Sequence, residues 1–258
     1  MNPPHSHPHP RPPRRRLSLA ELHAAVQGRL VVSCQPVDGG PMDDDATVAR
    51  MAQAAVAGGA AALRIEGARR LACVRAAVAV PLVGIIKRDL PDSPVRITPF
   101  VADVRALLAA GADIVAVDVT DRVRPSRVAE LLAAIRAGGA HAMADASCEA
   151  DALAAWRLGF TIVGTTLSGY TGGPVPAEPD LALVARLSQA GCRVMAEGRY
   201  DTPARAAAAA HAGAWAVTVG SALTRLEVAT AWFATALQTP AIRENERSGT
   251  DSGRTTCT

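Results

Sequence analysis

From residue 30 onward the chain alternates short apolar runs with longer stretches of mixed polarity. The apolar runs are Leu30–Cys34, Ala62–Ile65, Leu82–Ile86, Ile114–Val117, Ala142–Ala144, Ile162–Gly164, Val194–Ala196 and Ala216–Val219. They are too short for buried helices and bounded by polar or turn residues, which predicts buried parallel strands. Helices are predicted over Asp45–Val56, Ala68–Ala79, Phe100–Ala110, Pro125–Ala137, Cys148–Leu158, Leu181–Ala190, Pro203–Ala212 and Leu223–Leu237. Gly58-Gly59, Gly111 and Gly191 stop helices, Ser147 and Thr202 cap them, and Pro125 suits a first turn. Ahead of the first strand, Ser18 and Glu21 form a capping-box pattern for a short helix reaching about Gln27.

Eight strand–helix units of nearly equal size predict an α/β fold of the (β/α)8 TIM-barrel type, in one domain over residues 17–241. A doubly wound open sheet is the alternative. It rarely needs eight consecutive units, and no G-x-G-x-x-G follows the first strand.

Composition narrows the class. The chain has 258 residues, 49% of them hydrophobic, enough for one large core. No uninterrupted apolar run is long enough for a bilayer, so no membrane partner is expected. Residues 1–16 are proline, histidine and arginine with no apolar segment behind them; a disordered tail is expected there rather than a signal peptide. His5, His7 and His9 belong to that tail. A second polar tail is expected over residues 242–258. Arg11, Arg14, Arg15 and Arg16 supply more positive charge than the whole net +3. The folded part is thus nearly neutral, which gives nucleic-acid binding little support. Five cysteines, an odd number without metal-ligand spacing, suit reduced thiols in the cytoplasm. No carboxylate cluster has metal-site spacing, and neither a metal nor a cofactor is expected.

The strand ends carry the chemistry. In a barrel they converge on one face, where ligands bind. They present Gln35, Arg64 with Glu66, Lys87 with Arg88 and Asp89, Asp118, Asp145, Thr165 with Thr166, Glu197 with Arg199, and Gly220 with Ser221. Lys87 stands out, because a charged cluster follows an apolar strand there; the plain alternative is a lysine that merely snorkels from the sheet edge. Gly198, Gly220 and Ser221 follow the last two strands, where backbone N–H groups commonly bind phosphate, and Arg225 adds charge. The glycine-rich stretch from Thr165 to Gly173 carries Tyr170 and suits a loop that closes over a ligand. Cys34 has no histidine partner, since His141 belongs to the opposite end of the barrel.

Seven blocks together resemble a known family. They are Ser33-Cys34-Gln35-Pro36, Arg64-Ile65-Glu66-Gly67, Gly84 to Asp89, Ser93 to Thr98, Gly164 to Thr171, Ala196 to Arg199, and Val219 to Ala222. In order, from about Leu30 to about Phe233, they resemble the N-acetylmannosamine-6-phosphate 2-epimerases. Val119 departs from the pattern, standing where a small residue is expected. The resemblance implies a cytoplasmic isomerase of amino-sugar (sialic acid) breakdown that inverts C2 of an N-acetylhexosamine 6-phosphate. It implies Lys87 as the base and Glu197 as an acid/base. Gln35, Arg64, Asp145, Thr165, Tyr170 and Arg199 would then hold the sugar, and Gly198, Gly220, Ser221 and Arg225 the phosphate. Lys87 would need its pKa, ordinarily near ~10.4, brought toward ~7, with Arg88 and Arg64 as the cations expected to do so. Lys87 acting as the only carbon base is preferred over a Lys87/Glu197 pair, since a glutamate near ~4.3 would need a large upward shift.

Two other readings stand beside this one. One is another phosphate-dependent barrel enzyme, an aldolase or a pentose-phosphate epimerase. The other is a catalytically silent phosphosugar-binding protein. The partner in each is a small phosphosugar, with a homodimer left open as the assembly.

Overall fold

A computed structural model describes residues 15–238 of the chain. Of the expected tails at 1–16 and 242–258, residues 1–14, with His5, His7 and His9, and all of the second lie outside the described residues. Eight parallel strands close into a barrel in sequence order. They are β1 (Leu30–Cys34), β2 (Ala62–Glu66), β3 (Leu82–Ile85), β4 (Ile114–Asp118), β5 (His141–Asp145), β6 (Ile162–Gly164), β7 (Val194–Glu197) and β8 (Ala216–Val219). A short helix, α1 (Leu19–Val26), precedes β1. Helices α2 (Asp45–Ala57), α3 (Ala68–Ala77), α4 (Val101–Ala109), α5 (Val128–Ala137), α6 (Glu149–Leu158), α7 (Leu181–Gln189) and α8 (Pro203–His211) follow β1 to β7 in turn.

Successive strand residues point to opposite faces, so one parity fills the barrel and the other packs under the helices. Val31, Ala62, Val83, Ile114, Met143, Ile162, Met195 and Ala216 form the inner core. Val32, Leu63, Leu82, Val115, Ala144, Val163, Val194 and Val217 meet the helices outside. Gly84 lies on the outer parity of β3. A Cβ there would come within 2.7 Å of Leu71 and 3.0 Å of Leu107, so α3 and α4 approach that strand only because it lacks a side chain.

The amino end of the barrel is sealed by α1. Ser18 and Glu21 form its capping box (Ser18 N to Glu21 Oε2 2.8 Å, Glu21 N to Ser18 Oγ 3.2 Å). Leu22 and Val26 enter the inner core beside Trp215, whose Nε1 donates to His23 Nδ1 at 3.1 Å. His141 stands at this end, with Nε2 2.9 Å from Leu17 O, as expected from the sequence. Arg16, counted there with the tail, instead donates to Leu108 O (3.2 Å) and Ala112 O.

Some boundaries move. Helix α5 starts at Val128, so Pro125 lies before it rather than in its first turn; Glu130 Oε2 accepts from Arg127 N at its start. Cys148, not Ser147, is the residue before α6, and the Ser147 hydroxyl donates to Asp151. The predicted last helix is two helices, α9 (Ser221–Thr224) and α10 (Leu226–Gln238), divided at Arg225 (φ −113°, ψ 81°). Side chains hold that break: Thr224 Oγ1 donates to Ser33 O (2.7 Å) and Arg225 Nε to Gln35 O (3.1 Å).

Candidate active site

Alternation along each strand selects which residue of each charged cluster reaches the mouth. Ser33 and Gln35, Arg64, Ile85 and Lys87, Thr166, Glu197, and Thr218 and Gly220 share the inner parity. All of them line one cavity of about 400 Å³, a size suited to a small ligand. Arg88 has the other parity; its guanidinium pairs with Asp103 on α4 (Nη2–Oδ1 2.5 Å). Asp89 pairs with Arg96 (2.5 Å) in the loop after β3. That loop folds back through an antiparallel bridge between Lys87 and Ile97, which puts Ile97 into the cavity wall.

The floor is a buried polar network. Arg64, 1% exposed, meets fully buried Asp145 through two bonds (Nη2–Oδ2 2.6 Å, Nη1–Oδ1 3.2 Å). The same Nη1 is 3.3 Å from Glu197 Oε2. Thr166 Oγ1 stands between the carboxylates, 2.7 Å from Asp145 Oδ1 and 3.4 Å from Glu197 Oε2. A Cβ on Gly164 would lie 2.6 Å from Met143 Cε and 3.0 Å from Thr166 Oγ1, so a side chain there would displace the methionine tip and crowd Thr166.

This arrangement tunes Lys87 and Glu197, the two groups expected from the sequence to move protons. Burial lowers the Lys87 pKa, and the Arg225 and Arg64 charges lower it further against Asp38 and Glu66. The depression expected from the sequence is therefore present, but Arg225 takes the part assigned to Arg88, which faces away. Burial pushes the Glu197 carboxyl up to about 7, with Arg64 opposing and Asp145 adding to the shift. The large upward shift that a second carbon acid would need is thus supplied by the site, which removes the ground for preferring Lys87 alone.

Other candidates fall into two groups. Gln35, Gly198, Tyr170, Arg199, Gly220, Ser221 and Arg225 are in the cavity wall. Gly198 holds φ +109°, a backbone state that favours glycine. Arg199 reaches the wall in a left-handed conformation (φ 64°), and its guanidinium fastens the loop after β6: Nε donates to Glu178 O and Nη1 to Ser168 O, both at 2.7 Å, and it lies 5.2 Å from the Tyr170 ring centre. Asp145 and Thr165 lie behind the wall. Asp145 orients Arg64, while Thr165 Oγ1 donates to Glu197 O (2.9 Å) and accepts from Glu197 N (3.1 Å). Thr166, not Thr165, has the parity that reaches the cavity. Helix α9 has four residues, so an anion at this corner would meet loop N–H groups and Arg225 more than a helix dipole.

Thr218, Tyr200 and Ser33 also line the cavity and had no role from the sequence. For Thr218 a signal existed: a polar residue of inner parity in an otherwise apolar strand. Cys34 has outer parity, and burial pushes its thiol up to about 12, which disfavours the thiolate that a nucleophile needs. Val119 is buried against the outer core, with its N–H on Asp145 O (3.1 Å), so its bulk stays out of the mouth.

The family described as "Putative N-acetylmannosamine-6-phosphate epimerase" (NanE) matches residues 48–239. The chain belongs to the NanE family. A Klebsiella pneumoniae (strain 342) protein with the name "Putative N-acetylmannosamine-6-phosphate 2-epimerase" is 60% identical over 89% of this chain and 99% of its own length. A Haemophilus ducreyi protein of the same name is 58% identical over 86% and 97%. The solved structure of the N-acetylmannosamine-6-phosphate 2-epimerase from Clostridium perfringens superposes with a TM-score of 0.81 at 35% identity, covering 91% of this chain and all of that one. The likeness to NanE proteins thus spans the barrel and every strand end that builds the cavity.

Proposed function

We propose that this NanE-family barrel interconverts N-acetylmannosamine 6-phosphate and N-acetylglucosamine 6-phosphate by moving a proton at C2. The observation that carries this is Lys87, its charge disfavoured by burial and by Arg225 and Arg64, in one cavity with a Glu197 pushed up to about 7. In the open-chain sugar the C1 aldehyde acidifies the C2 proton. Lys87 removes it, and Arg64 offers positive charge to the developing enolate oxygen. Glu197 faces Lys87 from four strands away around the closed barrel, so it serves as the acid on the other side. Gly198, Gly220, Ser221 and Arg225 hold the phosphate, and Gln35, Tyr170 and Arg199 line the sugar's place. Asp145 and Thr165 position Arg64 and Glu197. The N-acetyl group and hydroxyls are read by this set without a metal or cofactor.

Incubating the protein with N-acetylmannosamine 6-phosphate and detecting the 2-epimer tests the reading; binding without turnover would leave a phosphosugar-binding protein. An aldolase would instead yield a lysine adduct trapped by borohydride.

We also propose a cytoplasmic homodimer. Cys34, Cys73, Cys148 and Cys192 are free thiols. No helix among the described residues is long and apolar enough to cross a membrane. Helix α10 buries none of its residues and exposes Leu226, Phe233 and Leu237 on one face, a stripe that a second copy would cover, while Trp232 lines the cavity. Light scattering on the wild type and on F233E tests it: the dimer reading needs a dimer that the substitution dissociates.

A further inference from the structure

β8 reads Ala-Val-Thr-Val, and the threonine is its one polar residue. Its parity turns Thr218 into the barrel, where it is 2% exposed and lines the cavity. Its Oγ1 is buried without a hydrogen-bond partner among the described residues. A buried hydroxyl left in that state is destabilising, and valine would fill the same volume without the penalty. Packing therefore gives no reason for a threonine. Position gives one. Thr218 pairs in register with Glu197 on β7 and stands two residues before Gly220. It sits beside Glu197 and two residues below the proposed phosphate corner.

We infer that Thr218 is a specificity-determining contact: its hydroxyl bonds a sugar hydroxyl on the carbon chain between C2 and the phosphate. A strand rises about 3.3 Å per residue, so Thr218 is roughly 6–7 Å below Gly220. That distance leads from a C6 phosphate to the middle of an extended hexose chain, not to its N-acetyl end. A threonine hydroxyl both donates and accepts, which matches a sugar hydroxyl in either orientation. The inference rests on the phosphate corner proposed above, but not on turnover.

The test uses two ligands that cannot react: inorganic phosphate and the reduced open-chain product, N-acetylglucosaminitol 6-phosphate. Calorimetry on wild type, T218V and T218S should show T218V binding the hexitol phosphate about tenfold more weakly, with phosphate unchanged and T218S near wild type. The Tm of T218V should equal or exceed that of wild type, since the orphan hydroxyl is gone. Equal hexitol phosphate affinity in wild type and T218V overturns the inference while leaving the phosphate corner intact. A wild type that binds neither ligand removes the corner, and the inference with it. Should T218V fail to fold, T218A against T218S makes the same comparison, and equal affinities there overturn it too.

Discussion

Arg64 and Asp145 form a doubly bonded ion pair in the barrel, 1% and 0% exposed, whose guanidinium also reaches Glu197 at 3.3 Å. The pair links stability to the pH response of the site. In Asp145→Asn the Arg64 charge loses its main partner. Breaking a buried pair costs about 3–5 kcal/mol, a Tm drop of roughly 6–20 °C for a domain of this size. Asp145 also raises the Glu197 pKa. Its neutralisation should therefore move the Glu197 limb of the pH–rate profile to lower pH. A limb that stays in place would show that Asp145 serves only folding.

Lys87→Ala should lower turnover by about 10²–10⁴-fold, the usual contribution of a general base. Its Tm should stay within a few degrees, because the half-buried ammonium does not build the core. Circular dichroism and a coupled epimer assay check both. Wild-type-like turnover would remove Lys87 from the chemistry.

The pH profile of kcat/KM should rise as Lys87 loses its proton, at a pH below the ordinary lysine range because its pKa is lowered. It should fall again above about 7 as protonated Glu197 ionises. The limbs belong to the coupled pair rather than to single residues. Glu197→Gln should lose the falling limb. With C2-deuterated substrate, that variant should still exchange deuterium with solvent but not invert C2. Inversion at the wild-type rate would return the whole task to Lys87.

Arg225→Gln should weaken inorganic phosphate binding by about tenfold or more, since a charge-assisted bond contributes about 1.5–3 kcal/mol. The substitution should also move the Lys87 limb to higher pH, because Arg225 is the largest charge lowering that pKa. Titration and a pH–rate series read the two effects separately. A change in neither would place the phosphate elsewhere.

At the far end of the barrel, Arg16→Ala removes the bonds to Leu108 O and Ala112 O. The expected loss is about 1–2 kcal/mol, a few degrees in Tm, with kcat/KM unchanged. An unaltered Tm would return Arg16 to the tail.

The order of the eight strands and seven of the intervening helices was legible in the sequence. Apolar runs bounded by glycines and capping residues are local signals, and equal spacing leaves few folds that bury every run. So was the list of polar groups at the strand ends, Lys87 and Glu197 among them, because a charge directly after a buried strand has only the barrel rim to occupy. The blocks from Ser33 to Ala222 carried the family likeness for the same reason: they sit on that rim. What the chain alone did not decide was which of two neighbours faces inward. One residue of register separates Lys87 from Arg88, and Thr166 from Thr165, and register is set by pairing with strands far away in sequence. Asp145 reads as a ligand group until closure brings Arg64 from β2 within 2.6 Å of it. The upward shift of Glu197 likewise has no local cause. Burial by the closed barrel produces it, and burial is a property of the fold rather than of the residues beside Glu197. The break at Arg225 follows the same rule, since the contacts that hold it come from Ser33 on β1 and Gln35 just after it, some 190 residues earlier.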